Sequence, residues 1–140
     1  GAPASADDAA DALPASLLRG MHVMLVDDDV QTVDTFRMLL EAEGAVVDVA
    51  NDGESALASM QARTPDLLLS DIGMPGMDGY QLVHRVRGQA ALKEVPAIAL
   101  SGYGRHSDVD AALQAGFDAH LPKPVMLDDL LSTLMRLRLA

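Results

Sequence analysis

Four groups of polar residues, each following a short apolar run, carry the side chains best suited to chemistry: Asp27-Asp28-Asp29, Asp71, Ser101 before Gly102, and Lys123 before Pro124. Brought to one place they supply two or three carboxylates, a hydroxyl and an ammonium. Carboxylates a few ångströms apart raise one another's pKa unless a cation sits among them. Ligation by oxygen alone, with few protein groups and retained water, suits Mg²⁺, whereas zinc calls for a His/Cys cluster that this sequence lacks. A hard divalent ion beside a carboxylate, a hydroxyl and a lysine is equipment for handling a phosphoryl group. A carboxylate can itself be the nucleophile and form an acyl phosphate. Asp71 is the best candidate, because it stands alone after Leu67-Leu68-Leu69 and precedes Ile72-Gly73-Met74-Pro75-Gly76-Met77-Asp78-Gly79. That loop is dense in Gly and Pro, so its backbone can approach a ligand closely.

The elements that position these groups follow from periodicity. Five short apolar runs, Val23 to Val26, Val46 to Ala50, Leu67 to Leu69, Ala97 to Leu100 and Ala119 to Leu121, read as strands. Between them lie stripes at helical spacing: Val30, Val33, Phe36 and Leu40 with Gly44 as C-cap; Ala56, Leu57 and Met60 after the Asn51-Asp52-Gly53 turn and cap; Tyr80, Val83 and Val86 ending near Gly88; Val109, Ala112 and Leu113 ending at Gly116. Leu127, Leu130, Leu131, Leu134 and Leu137 mark a last helix. Strict alternation predicts a parallel sheet with right-handed crossovers, and an eight-fold barrel needs far more chain. The expected fold is α/β, a (βα)5 doubly wound five-stranded parallel sheet in a three-layer sandwich. In such a sheet ligands bind beyond the C-terminal strand ends, where all four groups fall.

The chain has 140 residues and a formal charge of −11, which fits one domain and argues against binding a nucleic-acid backbone. Its core must be aliphatic, since Phe36, Tyr80, Tyr103 and Phe117 are its aromatic residues. Cys is absent, which removes disulfides and thiolate chemistry. There is no signal-peptide pattern and no apolar run of membrane-spanning length, so the expectation is a cytoplasmic domain making no membrane contact itself. Residues 1–20 have linker composition, with a short turn indicated around Leu13 to Leu18, and are expected to form a flexible linker or tail. His22, His84 and His106 lack partners at metal-ligand spacing and are expected at the surface. The eight Met residues are expected as core filler and interface.

Val26-Asp27-Asp28-Asp29, Ser70-Asp71-Ile72-Gly73-Met74-Pro75-Gly76-Met77-Asp78-Gly79, Ser101-Gly102 and Leu121-Pro122-Lys123-Pro124 resemble, in order, the signatures of the response-regulator receiver domain of two-component signalling. The resemblance covers about residues 21 to 139, which sets the domain at 21–140 and implies the flavodoxin-like receiver fold. It further implies that Asp71 accepts a phosphoryl group from a phosphohistidine on a histidine kinase or histidine phosphotransfer domain. Mg²⁺ would be held by Asp28, Asp71 and the Gly73 carbonyl, with Asp27 holding a metal-bound water. Lys123 would pair with the phosphoryl oxygens, and the Lys123-Pro124 bond would be cis. Ser101, in place of the commoner Thr, would move toward the phosphoryl group and carry the signal outward by population shift across the face from Tyr103 to Leu121.

The sequence also departs from the family. Where a Tyr or Phe usually serves as rotamer switch three residues before the lysine stands His120, which is polar and titratable near neutrality. Gly73, two residues after Asp71, has no side chain to shield an acyl phosphate, while Tyr103 is placed to cover its mouth. Such a domain promotes its own phosphorylation and dephosphorylation without being a turnover enzyme. The linker, the end of the chain after the fifth helix and the segment Gly116-Phe117-Asp118-Ala119-His120-Leu121-Pro122-Lys123-Pro124 resemble the C-terminal receiver of a hybrid sensor histidine kinase, a parent protein compatible with membrane tethering. The alternatives are a free-standing single-domain response regulator and a small Mg²⁺-dependent phosphatase using an Asp nucleophile. Such phosphatases generally place a second Asp where this sequence has Gly73. A flavin carrier is disfavoured by the acidic triplet after the first strand, and a receiver used only for docking by the presence of both Asp71 and Lys123.

Overall fold

In the computed structural model, which describes residues 15–102 and 106–137, the chain alternates β1 (His22–Val26), α1 (Val30–Ala42), β2 (Val46–Ala50), α2 (Gly53–Ala62), β3 (Leu67–Asp71), α3 (Gly79–Arg87), β4 (Ala97–Ser101), α4 (His106–Ala115), β5 (Ala119–Pro122) and α5 (Leu127–Arg136). All neighbouring strands are parallel, in the order β2-β1-β3-β4-β5. This is the expected doubly wound, flavodoxin-like sheet, with its direction reversing between β1 and β3.

Alternation along the strands divides the core into two layers. Met24, Val26, Leu68, Ala97 and Ala99 face one way and meet α2, α3 and α4 through Met60, Leu82, Val86 and Ala112. Val23, Leu25, Leu69, Ile98 and Leu100 face the other way and meet α1 and α5 through Val33, Phe36, Leu40, Leu130 and Leu134. The central strands β1, β3 and β4 are buried along their whole length, whereas β2 is partly exposed at the sheet edge. Each fully buried Leu contributes about 1.5–3 kcal/mol.

Local chemistry sets the helix ends. Asp29 caps α1 by accepting the Gln31 N–H, and Asp52 caps α2 by accepting the Ser55 N–H. Asp78 and Gln81 form a reciprocal capping box on α3. At the end of α1, Gly44 takes φ +92°, donating to the Glu41 carbonyl while Ala45 donates to that of Leu40, a Schellman closure.

Several positions differ from expectation. Val30 and Leu113 are 59% and 47% exposed: α1 turns inward through Val33, Phe36 and Leu40, and α4 through Ala112. Leu82 is fully buried and anchors α3, whereas Tyr80 is half-buried at its margin. His22 lies inside, not at the surface: as the first residue of β1 it bonds through Nε2 to Asp48 Oδ2 on the edge strand, and its backbone N–H donates to Asp66 at 2.8 Å. His84 is exposed as expected, and the His106 side chain lies outside the described residues. Of the Met residues, Met21, Met24, Met60 and Met74 are buried, and Met38, Met126 and Met135 are exposed.

The packed chain also begins before residue 21. Ala15–Leu18 form one 3-10 turn, and Leu18 is fully buried against the layer that holds α5. Gly20 donates to the Gly44 carbonyl at 2.8 Å, tying this entry segment to the α1–β2 turn. Residues 1–14 of the expected linker lie outside the described residues. No helix among the described residues is long and apolar enough to cross a membrane.

Candidate functional site

The topological switch gathers the acidic groups at the C-terminal ends of β1 and β3. Asp27 prolongs β1 by donating its backbone N–H to the Ala50 carbonyl at 3.2 Å, and is only 1% exposed. Its Oδ1 accepts the Asp29 N–H at 3.0 Å, and its Oδ2 accepts Lys123 Nζ at 2.7 Å. Asp28 is exposed and faces the opening. Asp29 turns away to cap α1, and the Thr32 hydroxyl bonded to it lowers its pKa. The triplet thus divides into a buried partner for Lys123, an open carboxylate and a helix cap.

Asp71 ends β3 and is 7% exposed, with Oδ1 3.0 Å from Lys123 Nζ. Burial raises its pKa, and so does the neighbouring charge of Asp27; the bond to Lys123 and the Gly73 backbone N–H act in the opposite direction. Burial works against the Lys123 ammonium, yet its bonds to Asp27 and Asp71 outweigh that effect and leave its pKa raised. The lysine is delivered from the end of β5, where its N–H donates to the Ser101 carbonyl at 2.7 Å and the Lys123–Pro124 peptide is cis, as the resemblance implied.

Three carboxylates facing one ammonium leave negative charge uncompensated. Asp27, Asp28 and Asp71 each bring an oxygen within 4.8 Å of the others. Hard oxygen donors at this separation, one of them exposed, fit a small divalent cation that keeps part of its water shell. The donor set therefore agrees with the Mg²⁺ expected from the sequence. Gly73 adjoins the cluster, is exposed, and has open space where a Cβ would stand.

The loop after Asp71 is held close by glycine. Gly79 donates to the Ile72 carbonyl at 2.9 Å, and a Cβ there would stand 2.3 Å from the Asp71 carbonyl oxygen, so the turn into α3 packs directly under the site. A Cβ on Gly53 would lie 2.8 Å from Met77 Sδ, which lets this loop settle on the start of α2. Both glycines were visible in the sequence as turn signals, but the contacts that require them were not. Asn51, read as part of a turn, donates to the Asp27 carbonyl at 3.3 Å.

Ser101 and His120 meet each other directly. Ser101 sits one residue past Leu100, the register partner of Asp71, and its hydroxyl is 2.8 Å from His120 Nε2. Tyr103, expected to cover the site, lies outside the described residues. Beside the cluster a groove of about 290 Å³ runs between α1 and the segment after β5, lined by Thr32, Phe36, Leu39, Lys123, Pro124 and Val125.

Comparison with known proteins agrees with this geometry. The family model described as response regulator receiver domain matches residues 23–135. An uncharacterised 14.6 kDa protein of Leptolyngbya boryana is 46% identical over 108 residues, covering 77% of this chain and 82% of that protein. Hybrid signal transduction histidine kinase D of Dictyostelium discoideum is 35% identical over 130 residues, covering 87% of this chain but 8% of the much longer kinase. Among solved structures, the receiver domain of a sensor histidine kinase from Pseudomonas aeruginosa, with a magnesium ion coordinated in its active-site cleft, superposes with a TM-score of 0.77 at 31% identity, covering 84% of this chain and 96% of that domain.

Proposed function

The chain belongs to the response regulator receiver family of two-component signalling, and on that premise we propose that Asp71 is the residue that accepts the phosphoryl group. The observation that carries this reading is the convergence of Asp71 and Asp27 on one lysine, at the C-terminal ends of β1, β3 and β5. An Asp71 carboxylate oxygen attacks phosphorus, the P–N bond of a donor phosphohistidine breaks, and the imidazole nitrogen leaves with the electron pair. The transferred group brings negative charge into a cleft already rich in carboxylates. Lys123, held between Asp27 and Asp71, moves its donated hydrogen bonds onto phosphoryl oxygens and keeps that charge partly neutralised.

The carboxylates of Asp28 and Asp71 and the Gly73 carbonyl are the groups we assign to Mg²⁺, with Asp27 acting through a water. When bound there, the ion would supply charge stabilisation to the transferring phosphoryl oxygens. Gly73 leaves its side of Asp71 open, so a donor imidazole can approach without displacing a side chain. The partner in this reading is a histidine kinase or a histidine phosphotransfer domain.

Acetyl phosphate with Mg²⁺ tests the site. Mass spectrometry should find one added phosphoryl group, mapped to Asp71 and absent from Asp71→Asn. An Asp71→Asn variant that labels as well as the parent would overturn the assignment. The likeness to histidine-kinase proteins supports a hybrid-kinase parent, and the likeness to the small Leptolyngbya boryana protein, 82% of which is covered, supports a free-standing regulator. A histidine-kinase core encoded upstream of Gly1 would support the hybrid reading, and a start codon immediately before this domain would support the free-standing one.

A further inference from the structure

His120 and Ser101 stand on adjacent strands, and both side chains point to the face of Ala99, toward α4. Ser101 is 6% exposed, so its hydroxyl proton needs an acceptor, and His120 Nε2 stands 2.8 Å away. A serine hydroxyl has one proton to donate. If that proton goes to the imidazole it is withheld from any other acceptor, including a phosphoryl oxygen on Asp71.

We propose that His120 is a positioning residue that holds the Ser101 hydroxyl by accepting its proton, so that engagement of Ser101 with a phosphoryl group and this hydrogen bond exclude each other. The inference rests on the reading of Asp71 as the phosphorylated residue. An aromatic ring at this position couples to the hydroxyl through the space the hydroxyl vacates, whereas the imidazole couples through the hydrogen bond itself. Phosphorylation takes the proton, the Nε2 acceptor loses its donor, and the change is passed along β5 toward α4. The cost of breaking the bond falls on the phosphorylated state, so His120 weakens phosphoryl retention as well as reporting it.

The test uses the full chain with beryllofluoride and Mg²⁺ as the phosphoryl mimic. Fluorine NMR reads occupancy of the site, and imidazole nitrogen NMR, assigned with His120→Gln, reads the state of Nε2. The expected result is an acceptor-type Nε2 signal in the free protein that moves when bound fluorine appears. In Ser101→Ala the signal should already be displaced and move no further. His120→Phe, which removes the competing acceptor, should bind beryllofluoride about 3–10-fold more tightly, the worth of one net hydrogen bond. That gain should vanish when Ser101→Ala is added, and His120→Gln, which keeps an acceptor, should stay near the parent. Bound fluorine with an unmoved His120 signal overturns the inference, as does a His120→Phe gain that survives Ser101→Ala. Absence of bound fluorine overturns the Asp71 reading itself and this inference with it.

Discussion

Replacing Asp71 by Asn should stabilise the metal-free protein at neutral pH. At 3.0 Å the Lys123 ammonium attracts the Asp71 carboxylate by ~5.5 kcal/mol at an effective dielectric of about 20, while Asp27, no more than 4.8 Å away, repels it by at least ~3.5 kcal/mol. Asp28 adds repulsion that its exposure to water weakens, and removing a carboxylate from water costs several kcal/mol more. Ionised Asp71 is therefore a net burden on the folded state, in agreement with its raised pKa. An amide keeps an acceptor for Lys123 and removes the charge, for an expected gain of about 1–2 kcal/mol, or roughly 3–8 °C in Tm for a domain of this size. The sign depends on pH. An acid whose pKa is higher folded than unfolded carries no penalty below its unfolded value, near 3.8; the penalty grows above that and is complete above the folded value. Thermal melts of parent and Asp71→Asn should diverge most at pH 7 and converge as the pH falls toward 4. Added Mg²⁺ should narrow the gap at pH 7, because only the parent retains all three carboxylates. A variant that melts lower than the parent at pH 7, or a gap that does not shrink on acidification, would refute the electrostatic account.

Three further substitutions probe how the site is supported. Gly79→Ala sets a methyl group against the Asp71 carbonyl and should cost about 1–3 kcal/mol in chemical denaturation while slowing labelling by acetyl phosphate. Arg87→Ala removes bonds to the carbonyls of Gly116, Lys93 and Val95 and to Asp118, which tie α3 to the approaches of β4 and β5. The loss should be about 2–4 kcal/mol, with the Mg²⁺ dependence of phosphorylation unchanged. Leu18→Ala empties a fully buried position and should cost about 2–5 kcal/mol; a melt identical to the parent would mean that the entry segment is not part of the folded unit.

Most of the fold was legible because its signals are local. β2 has the bounds read from its apolar run, whereas β3 and β4 run on into Ser70, Asp71 and Ser101, polar residues at which a purely apolar criterion stops. Those extra residues carry the chemistry, since a strand that delivers a side chain to a cleft must end in a polar group. The burial of Leu18 is not legible for the opposite reason: a single apolar anchor in a segment of linker composition, with only a short turn indicated around it, has no periodicity to announce it. The burial of His22 is not legible locally, because its partner, Asp48, belongs to another strand.

The inventory and its order are written along the chain: five strands alternating with helices, a carboxylate at the first and third, a hydroxyl at the fourth and a lysine after the fifth. Tertiary structure alone decided how those groups share space. Of three consecutive aspartates it buried one against Lys123 and left one open, while the third caps α1 through a local bond. It also paired Ser101 with His120, giving a residue that departs from the family's pattern a defined partner. The physical reason is separation along the chain. Caps and turns are set within a few residues, but Asp27 and Lys123 are 96 residues apart, and only the register of the folded sheet brings them within 2.7 Å.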